Sequence, residues 1–159
     1  EAAKSPEELR RERYEQKRLE QEMRLKAEQE ARAVALQEHH DNVLLMTFTN
    51  EDEILEAQNE RLAVIDSVIN LLHRNIETEM TKLAAEEKTA KQLFTDKGKE
   101  IPGGQAQKIE YHTEKVLTKQ QHLSLKMEER EKVRQQYVND LIRYRQLKQV
   151  QKEKAAAGE

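Results

Sequence analysis

EDEILEAQNERLAVIDSVINLLHRNIETEMTKLAAEEKTAKQLF, residues 51–94, is the stretch that decides the fold. Its apolar positions return by steps of three and four, through Ile65, Ile69, Leu72, Ile76, Met80 and Leu83, then on through Glu87, Ala90 and Phe94. That period is the mark of a coiled-coil seam. The pattern stops at TDKGKEIPGG, residues 95–104, which holds three of the four glycines and one of the two prolines. Such a cluster ends a helix and turns the chain. The period resumes at Ile109, His112, Val116, Leu123, Met127, Val133, Tyr137, Leu141, Tyr144 and Leu147. Two similar helices around one short loop predict an antiparallel hairpin, in which the numbers of facing residues have a nearly constant sum. Phe94 with Ile109, Met80 with Leu123, Ile76 with Met127 and Leu62 with Leu141 all sum to 203. In that register Glu87 opposite Val116 and the Leu72–His73 region near Arg130 are the weak layers, bridged by long polar side chains.

Charge supports the same direction. Residues 51–60 carry Glu51, Asp52, Glu53, Glu56 and Glu60 without a base, whereas 143–154 carry Arg143, Arg145, Lys148, Lys152 and Lys154 against Glu153. Antiparallel pairing sets these beside each other, and each set also suits its own helix dipole. Helices of about 46 residues rise roughly 70 Å, which predicts a stalk.

Working outward, Asn50-Glu51-Asp52-Glu53 is a helix start, with a side-chain acceptor at the cap and acids in the first turn. Ahead of it, Val43-Leu44-Leu45-Met46-Thr47-Phe48-Thr49 is the densest apolar patch and reads as a helix end and turn. It is either a plug closing the base of the hairpin or a partner-binding patch, and Leu44, Leu45, Met46 and Phe48 are the candidate interaction residues. A third helix begins at Ser5-Pro6-Glu7-Glu8, which offers a hydroxyl cap, a proline at the first helical position and a glutamate for a capping box. Its stripe of Leu9, Leu19, Met23, Ala27, Ala31 and Val34 is gapped by Gln16 and Glu30, so it is held by helix propensity and pairs such as Glu22–Lys26.

The predicted organisation is all-α: a mostly solvated charged helix over 1–46, a turn at 47–50, an antiparallel coiled-coil hairpin over 51–152 with its tip at 96–105, and a flexible tail at 153–159. Gly98, Ile101, Pro102, Gly103 and Gly104 form the hairpin tip. The composition agrees. Of 159 residues 37% are charged and 4% aromatic, there is no Trp, and nothing here builds a thick core. The 28 basic and 31 acidic residues are finely mixed at a net charge of −3, so there is no basic face for nucleic acid. No run of about 20 apolar residues is present to span a bilayer. With no Cys there are no disulfides and no thiolate metal sites.

Candidate chemistry is sparse, and neither catalytic residues nor a cofactor or metal site are expected. His39 and His40 are neighbours, and adjacent helical residues point about 100° apart, so they do not chelate together. His112 falls on the seam facing Ala90 and reads as a tolerated polar seam residue. Carboxylates are abundant, but a two-helix stalk has no concave, water-excluding site to tune them. Gly103-Gly104 lacks the spacing of a phosphate loop. Tyr137 and Tyr144 lie seven residues apart, as seam residues do.

LLMTFTNEDEILEAQNERLAVIDSVINLL, then GKEIPGG, then VRQQYVNDLIRYRQLK resembles a group of poorly characterised gammaproteobacterial envelope proteins. In that group a Leu-Leu-x-Thr-Tyr/Phe turn precedes an Arg-Leu-Ala-x-Ile-Asp helix, a Gly-x-x-Val/Ile-Pro tip and a closing Arg-Tyr/Phe-Arg-x-Leu helix. The resemblance covers about residues 43–149 and implies a periplasmic address, with no catalytic residues carried over. Many members bear a small N-terminal domain of unknown function, which this chain lacks, so the resemblance implies a fragment or a variant. The expected function is that of a nonenzymatic structural or adaptor protein of the bacterial cell envelope, acting on protein partners of the envelope machinery. A periplasmic holdase gripping clients with its hairpin is the alternative. The flanks Val64, Val68, Leu71, Leu117 and Leu125 stay unburied in a two-helix seam, which points to a homo-oligomer or to cover by the first helix.

Overall fold

The computed structural model describes residues 4–158. It is all-α, with helix α1 over Pro6–Thr47, α2 over Glu51–Leu93, a 3₁₀ turn over Thr95–Lys97 and α3 over Gly103–Ala157. Among the described residues there is no strand. Both anticipated caps form. The Ser5 hydroxyl accepts from the Glu8 N–H at 3.3 Å while the Ser5 N–H donates to the Glu8 carboxylate at 2.9 Å, a complete capping box. The Asn50 side chain accepts from the Glu53 N–H at 3.0 Å. The chain divides into two compact units, residues 50–142 and the remainder, to which α3 contributes from Arg143 onward.

In the unit over Asn50–Ile142, α2 and α3 pair antiparallel. Gln105 on α3 donates to the Glu86 carboxylate at 2.8 Å and to the Glu86 carbonyl at 3.0 Å. His112 Nδ1 lies 2.9 Å from the Glu79 carboxylate, and Arg130 grips Asp66 through two bonds of 2.5 and 3.2 Å. As numbers rise on one helix they fall on the other. The buried and half-buried positions include, on α2, the line 65, 69, 72, 76, 79, 83, 86 and 90, and, on α3, the line 105, 109, 112, 116, 119, 123, 126, 130, 133, 137 and 140. Along each of these lines the alternation of three and four is unbroken.

Two expectations are corrected by this seam. First, Met80 is 52% exposed and Glu87 is exposed, while Glu79, at 4%, and the half-buried Glu86 take their places. A step of four from Leu72 to Ile76 must be followed by a step of three. Two successive fours advance the stripe by about 80° per eight residues, whereas seven residues leave it within about 20° of its line. Likewise Met127 is exposed, and the half-buried Lys126 and Arg130 flank it in sequence. Second, Glu79 lies between His112 and Lys119, with Lys119 Nζ at 3.8 Å, so facing numbers sum to 191–198. The helices are therefore slipped by about one heptad, roughly 10 Å, from the register summing to 203.

The slip originates at the tip. Gly98 adopts the left-handed conformation, φ 67°, which a residue with a Cβ enters only at a cost. It lets the Lys99 N–H reach back to the Phe94 carbonyl at 2.9 Å, closing the 3₁₀ turn that follows α2 in the manner of a Schellman cap. Gly103 and Gly104, expected in the loop, are instead the first residues of α3, and the Pro102 carbonyl accepts from Gln105 and Ala106 at 3.0 Å each. With α2 ending at Leu93 and α3 starting at Gly103, the loop is centred near Gly98 and the helix ends sum to 196, instead of the 203 of helices meeting at Phe94 and Ile109.

In the other unit, the end of α1 meets α3 at Arg143 and Tyr144. Arg143 holds Asp41 through bonds of 2.8 and 2.6 Å, Gln37 adds a third bond to that carboxylate at 2.8 Å, and the Tyr144 hydroxyl donates to the Phe48 carbonyl at 3.3 Å. Leu44 and Tyr144 are buried. Upstream, every residue from Lys4 to His39 is exposed, so α1 is the mostly solvated helix its charge pattern calls for. At the other end α3 continues to Ala157, so residues 153–157 of the segment expected as a flexible tail are helical, and Glu159 lies outside the described residues.

Candidate functional site

The four residues of the apolar patch separate by direction. Leu44 is buried, Leu45 and Phe48 are half-buried, and Met46 is 87% exposed, with Val43 exposed beside it. Residues 44 and 46 on a helix point about 200° apart, so one patch in the sequence becomes an inward plug and an outward knob. The chain leaves α1 at Phe48, whose N–H donates to the Leu44 carbonyl and whose own carbonyl accepts from the Tyr144 hydroxyl. At the tip, Gly98, Ile101, Pro102, Gly103 and Gly104 are all exposed. Ile101 and Pro102 offer a small apolar surface there, held in place by the capped turn.

The feature that sequence reasoning missed is an ionic layer inside the hairpin. The buried Glu79 carboxylate is met by His112 at 2.9 Å, by Lys82 at 3.5 Å and by Lys119 at 3.8 Å. The hydrogen bond from His112 holds its pKa below the ordinary carboxylate value against the opposing effect of burial, and Lys82, Lys115 and Lys119 assist. His112 is backed edge-on by Tyr111 at 5.2 Å, and Lys115 sits 4.5 Å above the Tyr111 ring. His112 therefore faces Glu79, not Ala90. The layer belongs to a heptad series: Glu79 and Glu86 on α2, and Gln105, His112, Lys119 and Lys126 on α3. That seven-residue spacing of polar residues was the available signal. Two further pairs fix their own elements. The Arg130 guanidinium lowers the pKa of Asp66, and Arg143, opposed by burial and helped by Gln37, pulls Asp41 down to about 2.

These groups are positioned for holding helices together. Each buried charge is matched, and among the described residues no buried side-chain polar atom lacks a partner. No group of three or more His, Cys, Asp or Glu side chains among them is arranged to hold a metal ion. An open dent along α1 is lined by Glu7, Arg10, Arg11, Tyr14, Glu15 and Arg18. No described helix is long and apolar enough to cross a membrane.

Comparison with protein-family models, with curated proteins and with solved structures finds no match to this chain.

Proposed function

We propose that this protein is a nonenzymatic structural or adaptor protein of the bacterial cell envelope that works by protein–protein contact. The observation that carries the reading is the division of apolar side chains. The seam of the hairpin is closed and internally paired, while Met46, Val64, Leu71, Leu117 and Leu125 stand outside it. A rigid element with satisfied polar groups and a few large exposed apolar side chains suits a spacer that presents contact points. The envelope and periplasmic address rests on the resemblance of residues 43–149. Fractionation of cells followed by crosslinking in the native envelope tests it. Recovery with periplasmic or envelope material, and loss of a defined crosslinked partner in Met46→Asp with helicity unchanged, is the expected result. Recovery in the cytosol alone, or crosslinks indifferent to Met46, would overturn it.

A holdase is the second reading, favoured by the exposed Val64, Met80, Leu117, Leu125 and Met127 scattered along the hairpin. Stoichiometric suppression of client aggregation supports this reading, and no suppression at excess protein removes it.

A further inference from the structure

Three features remain beyond the apolar contact points: the ionic layer at Glu79, the exposed hairpin flank at Val64, Val68 and Leu71, and the charges of α1. The layer is fully accounted for by the hairpin, and nothing indicates what covers the flank. On α1 the helix sorts charges that the sequence interleaves. Each residue turns about 100°, so within residues 10–25 the bases Arg10, Arg11, Arg13, Lys17, Arg18 and Arg24 fall in one arc of about 160°. The acids of the same stretch, Glu12, Glu15, Glu20 and Glu22, all fall in the remaining arc. A basic face therefore exists on the folded helix where the linear pattern shows none. Tyr14, 72% exposed, and Leu25, 58% exposed, lie on it, and the open dent between Arg10, Arg11, Tyr14 and Arg18 follows it. Among the described residues Arg10, Arg11, Arg13, Lys17 and Arg18 have no ion-pair partner, whereas Arg24 meets Glu28 at 3.8 Å.

The spacing of these bases says what shape of anion they fit. Arg10, Lys17 and Arg24 recur every seven residues, and so do Arg11 and Arg18. This is the period at which the chain pairs its own helices, with Glu79 and Glu86 set against Gln105, His112 and Lys119. Charges repeating by heptads beside a helix contact choose a helical partner with the complementary repeat. Guanidinium groups supply most of the face, and their planar forks match carboxylates. A nucleic-acid groove would bring phosphates against the acidic back of α1 as well. A flat anionic bilayer has no seven-residue period to match, and Glu20 and Glu22 border the arc on either side.

We infer that residues 10–25 of α1 dock an acidic helix of a partner protein, one whose carboxylates recur every seven residues along one face. The contact runs for about 20 Å of α1. It rests on the adaptor reading for the existence of a partner and adds the chemistry by which that partner is chosen.

The probe is a stapled helical peptide of about three heptads, with glutamate repeating along one face and lysine along the opposite one, so that its net charge is zero. The full chain binds it at low salt and releases it as salt rises. A peptide of the same composition with its charges interleaved around the helix binds at least about tenfold more weakly. The variant Arg10→Glu, Glu12→Arg, Glu15→Lys and Lys17→Glu keeps the composition and the net charge of −3 but carries two bases across the helix. It raises the Kd for the first peptide at least about tenfold, with helicity unchanged by far-UV circular dichroism. No binding at low salt overturns the inference, as does equal binding of the two peptides or a helical variant that binds as well as the parent. Tighter binding to a duplex of about 20 base pairs, or to vesicles of equal phosphatidylglycerol and phosphatidylcholine, also overturns it. Any of these results alongside crosslinks that still depend on Met46 removes this face and leaves the adaptor reading standing.

Discussion

Ile65→Ala and Val64→Ala, one residue apart, are expected to have opposite consequences. Ile65 is 5% exposed on the seam of α2, and Val64, next to it, is 67% exposed. Ile65→Ala removes three buried carbons, at about 0.8 kcal/mol each, for a loss of about 2.4 kcal/mol. The better helix propensity of alanine returns about 0.4 kcal/mol, and a two-helix seam relaxes around the gap, so the net cost is about 2 kcal/mol. Val64→Ala loses little burial and gains propensity, so it is neutral or stabilising by up to about 0.5 kcal/mol. Urea unfolding followed by far-UV circular dichroism reads the difference. With an m value of about 2 kcal/mol/M for a unit of this size, Ile65→Ala lowers the midpoint by about 1 M, and Val64→Ala leaves it within about 0.25 M. Because the chain divides into two units, the transition of residues 50–142 is fitted separately. Equal shifts, or a larger shift for Val64→Ala, would refute the placement of the buried face.

Two of the three glycines near the turn, Gly98 and Gly103, are expected to differ in sign. No atom lies within 4 Å of a Cβ built at either, so backbone conformation alone decides. Gly98→Ala forces alanine into the left-handed region and costs about 1 kcal/mol, whereas Gly103→Ala stabilises by up to about 1 kcal/mol, both read in thermal unfolding. Acid should weaken the protein through its paired carboxylates. Asp41, Asp66 and Glu79 all have folded pKa values below their ordinary ones, so their contribution is complete above about pH 5 and is lost as the pH falls through the folded values, toward about 2 for Asp41. A urea midpoint that is flat from neutrality to about pH 5 and then falls is expected. Asp41→Asn should show a shallower acid decline at the α1–Arg143 contact, and an unchanged profile would contradict the role given to that pair.

The parts of the fold that depend on neighbours in sequence were legible in sequence. Ser5-Pro6-Glu7-Glu8 and Asn50 cap their helices through bonds three residues long, and the cluster from Gly98 to Gly104 ends one helix before another starts. The register was not legible, because a slip of one heptad returns seam positions to seam positions. It changes only which layers meet, and Glu79 meets His112 across 33 residues of chain. Weighing apolar residues alone drew the stripe to Met80 and Met127 and away from Glu79, Glu86 and Lys126, which are tolerated inside because each is answered from the other helix or its own next turn. Gly103 and Gly104 misled for a related reason, since glycine tolerates loop and helix alike and the Pro102 carbonyl decides between them. At the candidate contact site, density of apolar residues located the 43–48 segment, but only the helix rotation and the Tyr144–Phe48 bond separate the plug at Leu44 from the knob at Met46.

The central claim is the antiparallel hairpin in the register set by Gln105 on Glu86 and His112 on Glu79. It is tested most directly by two double variants in this cysteine-free chain, joined by a short thiol crosslinker at low protein concentration and located by peptide mapping. Glu86→Cys with Gln105→Cys should link within one chain in high yield, and Glu86→Cys with Leu117→Cys, the pair that faces in the register summing to 203, should not. The opposite outcome, or linkage of neither pair in a folded, helical protein, would contradict the account.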